Sequence, residues 1–341
     1  MNFSWFVLIA LIITFILTAV LRRYALAKSL MDIPNARSSH TVPTPRGGGV
    51  AIVVTFLVAL CSLYAADLIA LRDFVAVAGA GALVAIIGFM DDHGHIAARW
   101  RLLGHFCAAI WALAWLGGLP PVSLFGQVFD LGWIGFALAT LYLVWMLNLY
   151  NFMDGIDGIA SVEAVTVCIG ACVLYALGGT VGLMEPVLLL AGCAGGFLLW
   201  NFPPAKIFMG DAGSGFLGIA LGILSIQAAG SSFQYFWGWL ILLGVFVVDA
   251  TMTLFRRLLR GEKVYEAHRS HAYQFASRHY GKHLPVTVAV CLINLLWLLP
   301  VAVAVVYFQL DGLLGVLLAY VPLFVLGLQF NAGKSEKDVS A

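Results

Sequence analysis

Hydrophobic residues run along this chain in long stretches, and polar residues gather in the short gaps between them. A helix that crosses a bilayer needs about 20 predominantly apolar residues. Eleven stretches qualify: Phe3–Leu21, Gly48–Ala65, Phe74–Met90, Leu102–Leu119, Leu131–Leu147, Ile159–Leu177, Val181–Trp200, Gly215–Ala229, Phe236–Phe255, Pro285–Phe308 and Gly312–Phe330. The fifth and eighth are short, so ten is the alternative count. The pattern predicts an all-α polytopic integral membrane protein.

Composition removes the alternatives to a membrane protein. Of 341 residues, 62% are apolar and 10% charged, against about 45–50% and about 25% in an ordinary soluble domain. So few charges cannot cover a soluble surface, and so much apolar content excludes a disordered chain. The six cysteines lie in apolar runs with no CxxC pair, which suggests neither zinc nor a disulfide framework. Phe3–Leu21 lacks a basic leader and a small-residue cleavage site, so it reads as a retained span.

The charges also give an orientation. With eleven spans and the N-terminus outside, seventeen of the eighteen Lys and Arg residues fall on one side, Arg72 being the exception. Basic loops mark the cytoplasm, so the C-terminus is expected there. All eight histidines share that side, as do Asp91, Asp92, Asp154, Asp157 and Asp211. A transporter or flippase, the competing class, would place ionisable groups near the midplane. Only Asp249, about two turns inside the ninth stretch, fits that description. Chemistry at the inner membrane surface is the better reading. The chain is expected to form one catalytic domain over 1–341, with a His/Arg loop at 256–284 and a flexible cytoplasmic tail at 331–341. No nucleic-acid partner is expected.

Three polar segments carry the candidate chemistry. The third stretch ends in Asp91-Asp92-His93, followed by Arg99 and Arg101. Adjacent carboxylates at a membrane boundary call for a divalent cation or a basic partner, Mg²⁺ with phosphates being the usual hard-oxygen solution; a solvated helix end is the bland alternative. The prenyl-synthase DDxxD pattern fails at His95. The fifth stretch runs into Asn148-Leu-Tyr-Asn151-Phe-Met-Asp154-Gly-Ile-Asp157-Gly158. Asp154 and Asp157 would share a face if the turn is helical, and Asn148 and Asn151 offer amides suited to a base or sugar. No Ala-Arg pair follows Asp157-Gly158, so the CDP-alcohol phosphotransferase signature is absent. Asn201-Phe-Pro-Pro-Ala-Lys206 then leads to Gly210-Asp211-Ala-Gly-Ser-Gly215, whose backbone amides could cradle phosphate. Asp211 could instead cap the following helix. As the third acidic site on one face it reads as a metal ligand.

In the longest basic loop, His268-Arg269-Ser270-His271 would set two histidines on one helix face, suited to an anionic ligand rather than to zinc. The surrounding basic run could equally anchor to lipid headgroups. The Ser214, Gly218 and Gly222 spacing reads as helix packing.

Together with Pro43-Thr-Pro-Arg46-Gly-Gly-Gly49, these segments resemble the polyprenyl-phosphate N-acetylhexosamine-1-phosphate transferase family, of the MraY/WecA type, over nearly the whole chain. The resemblance implies a bacterial inner-membrane enzyme, active on the cytoplasmic face. It would move a sugar-1-phosphate from a UDP-N-acetylhexosamine to undecaprenyl phosphate, releasing UMP, with Mg²⁺ (or Mn²⁺) as cofactor. On that basis Asp211 would hold the metal, and Asp91 and Asp92 would orient or deprotonate the lipid phosphate. Asn148, Asn151, Asp154, Asp157, Asn201 and Lys206 would line the nucleotide end. Arg46, Arg99, His268, Arg269 and His271 would contact phosphates or sugar, His268 with a catalytic share. The peptidoglycan branch, which transfers phospho-MurNAc-pentapeptide, carries consecutive histidines where this chain has His268-Arg269-Ser270-His271. The loop looks more like members that initiate O-antigen synthesis on GlcNAc, FucNAc or QuiNAc. Oligomeric state is open, a homodimer included.

Overall fold

The computed structural model describes residues 3–34, 39–94, 96–262 and 268–335. Arg37, His95, residues 263–267 of the His/Arg loop, and the tail from 336 onward lie outside the described residues.

Every apolar stretch read from the sequence is helical. In order these are α1 (Phe3–Ala27), α2 (Val50–Ala65), α3 (Leu71–His93), α4 (Ala98–Leu116), α5 (Gly132–Met153) and α6 (Ile159–Leu177). α7 (Met184–Asn201) and α8 (Asp211–Ala229) follow, then α9 (Phe233–Leu242) and α10 (Gly244–Leu259). A short α11 (Ala272–Tyr280) precedes α12 (Leu284–Ile293), which a π turn at Asn294–Leu298 joins to α13 (Leu299–Val306); α14 (Gly312–Gln329) closes the chain. Two small antiparallel pairs complete the fold, β1 (Met31–Asp32) with β2 (Thr44–Pro45), and β3 (Val122–Leu124) with β4 (Gln127–Phe129).

Among the described residues, eight helical segments are long and apolar enough to cross a membrane, or nine if α9 and α10, bent by 70° at Leu243, count as one broken span. This is fewer than eleven for two local reasons. α2 has only 16 residues, and α4 begins with Arg99 and Arg101, so only its later part is apolar.

α8 is the hub, enclosed almost all round and flanked by α3 and α5. Its small residues permit this. A Cβ on Gly218 would lie 2.6 Å from the Leu147 Cα of α5, which bears out the packing role of the glycine spacing. Because α8 starts where α3 and α5 end, the polar residues at those three ends share one end of the bundle.

Candidate functional site

α3 delivers Asp91 and Asp92 in its last turn, and Gly88 lets that turn touch the start of α8. A Cβ there would sit 2.6 Å from the Asp211 and Ala212 backbone. At this contact Asp92 caps α8. The Asp211 N–H donates to its Oδ1 at 3.2 Å, and the Ala212 N–H to its Oδ2 at 3.3 Å. The Gly213 and Ser214 amides both donate to the Gly210 carbonyl. Three of the amides at the helix start, those of Asp211, Ala212 and Gly213, are therefore satisfied by protein, so the Asp92 carboxylate sits where a phosphate cradle is expected of this segment. Arg46 secures the arrangement by donating to the Asp92 carbonyl oxygen.

Asp91 is one residue earlier, about 100° around the helix, and faces elsewhere. Its Oδ1 accepts the Ile96 N–H at 2.8 Å, while its Oδ2 pairs with Arg101. The same guanidinium nitrogen lies 3.6 Å from Asp211 Oδ2, so Arg101 bridges two carboxylates. Asn151 fixes the other oxygen of Asp211, donating to Oδ1 at 3.0 Å and to Ser214 Oγ at 2.9 Å.

Two cavities open from this cluster. The larger, about 380 Å³, is lined mainly by polar groups, among them Arg46, Asp92, Asp154, Asp157 and Asn201, with Phe208 as a flat apolar wall. The smaller, about 150 Å³, has Asp91, Arg101, His105 and Asn148 among apolar residues of α3, α4, α5 and α8. Asn151 and Asp211 line both. The adjacent aspartates are thus divided, Asp92 to the larger cavity and Asp91 to the smaller.

Asp154 follows the last residue of α5, and its carboxylate makes no hydrogen bond or ion pair among the described residues. Burial, together with the charges of Asp211, Asp92 and Asp157, holds its pKa well above the ordinary carboxylate range. Residues 154–158 are not helical, so Asp154 and Asp157 do not share a helix face. Asp157 instead accepts the Ala205 N–H at 3.0 Å and lies 3.1 Å from His283 Nδ1. His283 Nε2 donates to the Ser39 carbonyl at 3.0 Å. Burial alone would lower the His283 pKa, but the hydrogen bond and charge of Asp157 outweigh it and raise the pKa.

The sequence is similar to a known family and to named relatives within it. The glycosyl transferase family 4 model matches residues 74–229. A Bacillus subtilis protein named "Probable undecaprenyl-phosphate N-acetylglucosaminyl 1-phosphate transferase" is 30% identical over 272 residues, 78% of this chain and 75% of that one. The decaprenyl-phosphate N-acetylglucosaminephosphotransferase of Mycolicibacterium smegmatis is 35% identical over 277 residues, 72% of this chain and 68% of that one. The phospho-N-acetylmuramoyl-pentapeptide-transferase of Moorella thermoacetica is 34% identical over 198 residues, 54% and 61% of the two chains. The chain belongs to glycosyl transferase family 4. It is a polytopic phospho-sugar transferase of the polyprenyl-phosphate N-acetylhexosamine-1-phosphate type.

Within this glycosyl transferase family 4 chain, the two cavities gather Arg46, Asp91, Asp92, Asn148, Asn151, Asp154, Asp157, Asn201 and Asp211. Two of these amides serve the scaffold. Asn201 accepts the Gly158 N–H and donates to the Ile207 carbonyl, and Asn148 donates to the Val144 carbonyl of its own helix.

The remaining expected residues line neither cavity. Arg99 is exposed, over the Trp100 ring, and Lys206 lies over Trp200. His268 and His271 share no helix face, since residues 268–270 are irregular and His271 is the N-cap of α11. Their rings stack at 4.9 Å, and His271 Nδ1 reaches Asp249 Oδ1 at 3.3 Å. Burial, with His271 and Arg257 nearby, pushes the His268 pKa down to about 3. Arg269 is half-buried, and its carbonyl accepts from Arg278.

Asp249 is no transport group. It accepts the Ala272 N–H at 2.9 Å, the Tyr273 N–H at 3.0 Å and the Thr253 hydroxyl at 3.1 Å, and so anchors α11. Through Tyr273, whose hydroxyl donates to the Phe152 carbonyl at 2.9 Å, α11 in turn braces the end of α5.

The sequence reading did not select Arg101, Phe208 or His283. Arg101 had a signal, since Arg99 and Arg101 stand about 200° apart on a helix and only one can face Asp91. The other two reach the site through long-range folding and had none.

Proposed function

We propose that this enzyme transfers N-acetylglucosamine-1-phosphate from UDP-N-acetylglucosamine to undecaprenyl phosphate, releasing UMP, at the cytoplasmic face of a bacterial inner membrane. The observation that carries the reading is the pair of cavities sharing Asp211 and Asn151. One is polar enough for a nucleotide sugar, and the other is mostly apolar, suited to the phosphate end of a prenyl lipid. The relatives named for N-acetylglucosamine, which match along more than two thirds of this chain, support the choice of sugar. Initiation of a surface polysaccharide such as O-antigen is the fitting role for such a product.

A hard divalent cation suits the larger cavity. Among the described residues no three His, Cys, Asp or Glu side chains form a ready metal cage. Mg²⁺ does not require one, since it is bound by one or two carboxylates together with substrate phosphates and water. Asp154 is a half-buried carboxylate without a partner among the described residues, lining the same cavity as Asp211, and the two oxygen donors fit that pattern. Asp211 and Asp154 would hold Mg²⁺ or Mn²⁺. When bound, the ion would neutralise charge on the donor diphosphate.

The protein's own groups supply the rest. In the transfer, an oxygen of the lipid phosphate bonds to the sugar-bearing phosphorus. The bond from that phosphorus to the bridging oxygen breaks, and UMP leaves. Two anions must meet, so positioning and charge balance dominate. Arg101 holds Asp91 and Asp211 on either side of the meeting point. Asp91 orients the acceptor phosphate, Asp92 fixes the start of α8 and hence Asp211, and Phe208 offers a face for the uracil ring.

The test is an assay in detergent with undecaprenyl phosphate, Mg²⁺ and a panel of UDP-N-acetylhexosamines, including 6-deoxy sugars and UDP-MurNAc-pentapeptide. Lipid-dependent UMP release, greatest with UDP-N-acetylglucosamine and lost in Asp91→Asn and Asp211→Asn, is the expected result. No UMP from any donor with folded protein and metal overturns the reading.

A further inference from the structure

The smaller cavity is short of hydrogen-bond donors. If it receives the acceptor, it must satisfy the oxygens of a phosphate monoester, which only accept. Most of its polar side chains are carboxylates or are already engaged. Arg101 is paired with Asp91 and lies against Asp211. The Asn151 amide donates to Asp211 and Ser214, and that of Asn148 donates to Val144.

His105 is different. It lies one turn beyond Arg101 on α4 and lines the same cavity. Its Nδ1 is buried without a hydrogen-bond partner, and neither ring nitrogen is bonded to protein among the described residues. A buried polar atom left unpaired costs free energy that a native structure ordinarily avoids. A ligand that brings an acceptor would remove the cost.

We infer that His105 is a further substrate-binding residue, whose imidazole N–H donates to a phosphate oxygen of the prenyl acceptor in the cavity between α3, α4 and α5. The inference rests on the reading of that cavity as the acceptor site. His105 therefore acts on acceptor affinity and leaves the nucleotide sugar untouched. It also sets how deeply the phosphate enters, one helical turn from the Arg101 bridge.

The test measures KM separately for undecaprenyl phosphate and for the UDP-sugar. His105→Phe, which keeps a ring and loses the donor, should raise the acceptor KM by about tenfold or more, as expected for losing a hydrogen bond to a charged group. The donor KM should stay within about twofold of the parent. His105→Gln restores an N–H and should recover most of the loss. An unchanged acceptor KM in His105→Phe, an effect on the donor KM alone, or a Gln variant no better than Phe overturns the inference. Leu102→Trp, at the apolar lining of the same cavity, separates the two levels of the argument. If it raises the acceptor KM and His105→Phe does not, only the role of His105 falls. If neither variant moves it, the cavity assignment falls too. Thermal unfolding in detergent checks that each variant is folded, and His105→Leu replaces the Phe variant if the larger ring prevents folding.

Discussion

Asp249 is buried and Asp154 half-buried, both near one end of the bundle, and their surroundings are opposite. Asp249 is saturated by two backbone amides, the Thr253 hydroxyl and the His271 ring. Asp154 has no partner among the described residues, and it faces a cavity that also holds Asp92, Asp157 and Asp211. Holding an unpaired carboxylate partly out of water beside other carboxylates is expensive, and a folded protein tolerates it only where something else repays the cost. The difference separates a carboxylate that holds the fold from one kept available for a ligand. It also predicts that the two will fail differently when changed.

The largest effect should come from the available group and its neighbour. Asp211→Asn and Asp154→Asn are expected to lower turnover on the order of 10³-fold and 10²-fold respectively. Thermal stability should be unchanged or higher, because each substitution removes a carboxylate charge that neighbouring aspartates repel. Chelation of divalent ions should reproduce the loss in the parent enzyme, and added Mg²⁺ should reverse it. A fall in melting temperature that tracks the loss of activity would place Asp154 with Asp249 and erase the contrast.

The Asp249 variant should behave the other way. Asp249→Ala orphans the Ala272 and Tyr273 amides and should cost about 3 kcal/mol, the scale for breaking hydrogen bonds to a charged group in the interior. Asp249 lines neither cavity, so activity should fall only with the folded fraction. Thermal unfolding and turnover per folded molecule decide this.

This contrast marks what the sequence makes legible. Apolar runs locate helices because a bilayer admits little else; all eleven stretches are helical, although only eight or nine of those helices are long and apolar enough to span. The polar segments also named most of the cavity lining, since residues such as Asn151 and Asp154 have little reason to stand between apolar helices otherwise. Saturation is a different matter. Asp92 meets the amides of Asp211 and Ala212, more than a hundred residues later, and Asp249 meets those of Ala272 and Tyr273. Local spacing carries no trace of such pairings. For that reason local spacing suggests an amide cradle for phosphate where a carboxylate sits, and suggests a substrate role for the His268–His271 segment, which in the fold serves the start of α11.

Two histidines sharpen the comparison through pH. His283 has a raised pKa from its pairing with Asp157. Its contribution to stability is present in full below the ordinary histidine value near 6.5 and is lost as pH rises through the raised one. His268, held near 3, works oppositely. The folded protein keeps it neutral while the unfolded chain protonates below about 6.5, so its contribution falls as pH drops from there toward 3. His268→Gln should flatten the acid limb of the stability profile, and His283→Gln should weaken the alkaline fall. Melting temperature followed between pH 4 and pH 9 would show either change, and identical profiles would refute the assignment.

The smallest effect belongs to the basic residues that the sequence offered and the fold turned away. Arg99 and Lys206 each lie over a tryptophan ring outside both cavities, whereas Arg101 bridges Asp91 and Asp211. Exposed cation–π contacts contribute little, about 0.5–1 kcal/mol at most. Arg99→Ala and Lys206→Ala should accordingly leave both KM values and turnover within about twofold of the parent. Arg101→Ala in the same assay should cost far more, because two carboxylates lose their shared counter-charge. The three substitutions remove the same unit of charge from the same end of the molecule, so bulk electrostatics predicts similar losses from all of them. Only the geometry of the bridge predicts that one of the three will matter.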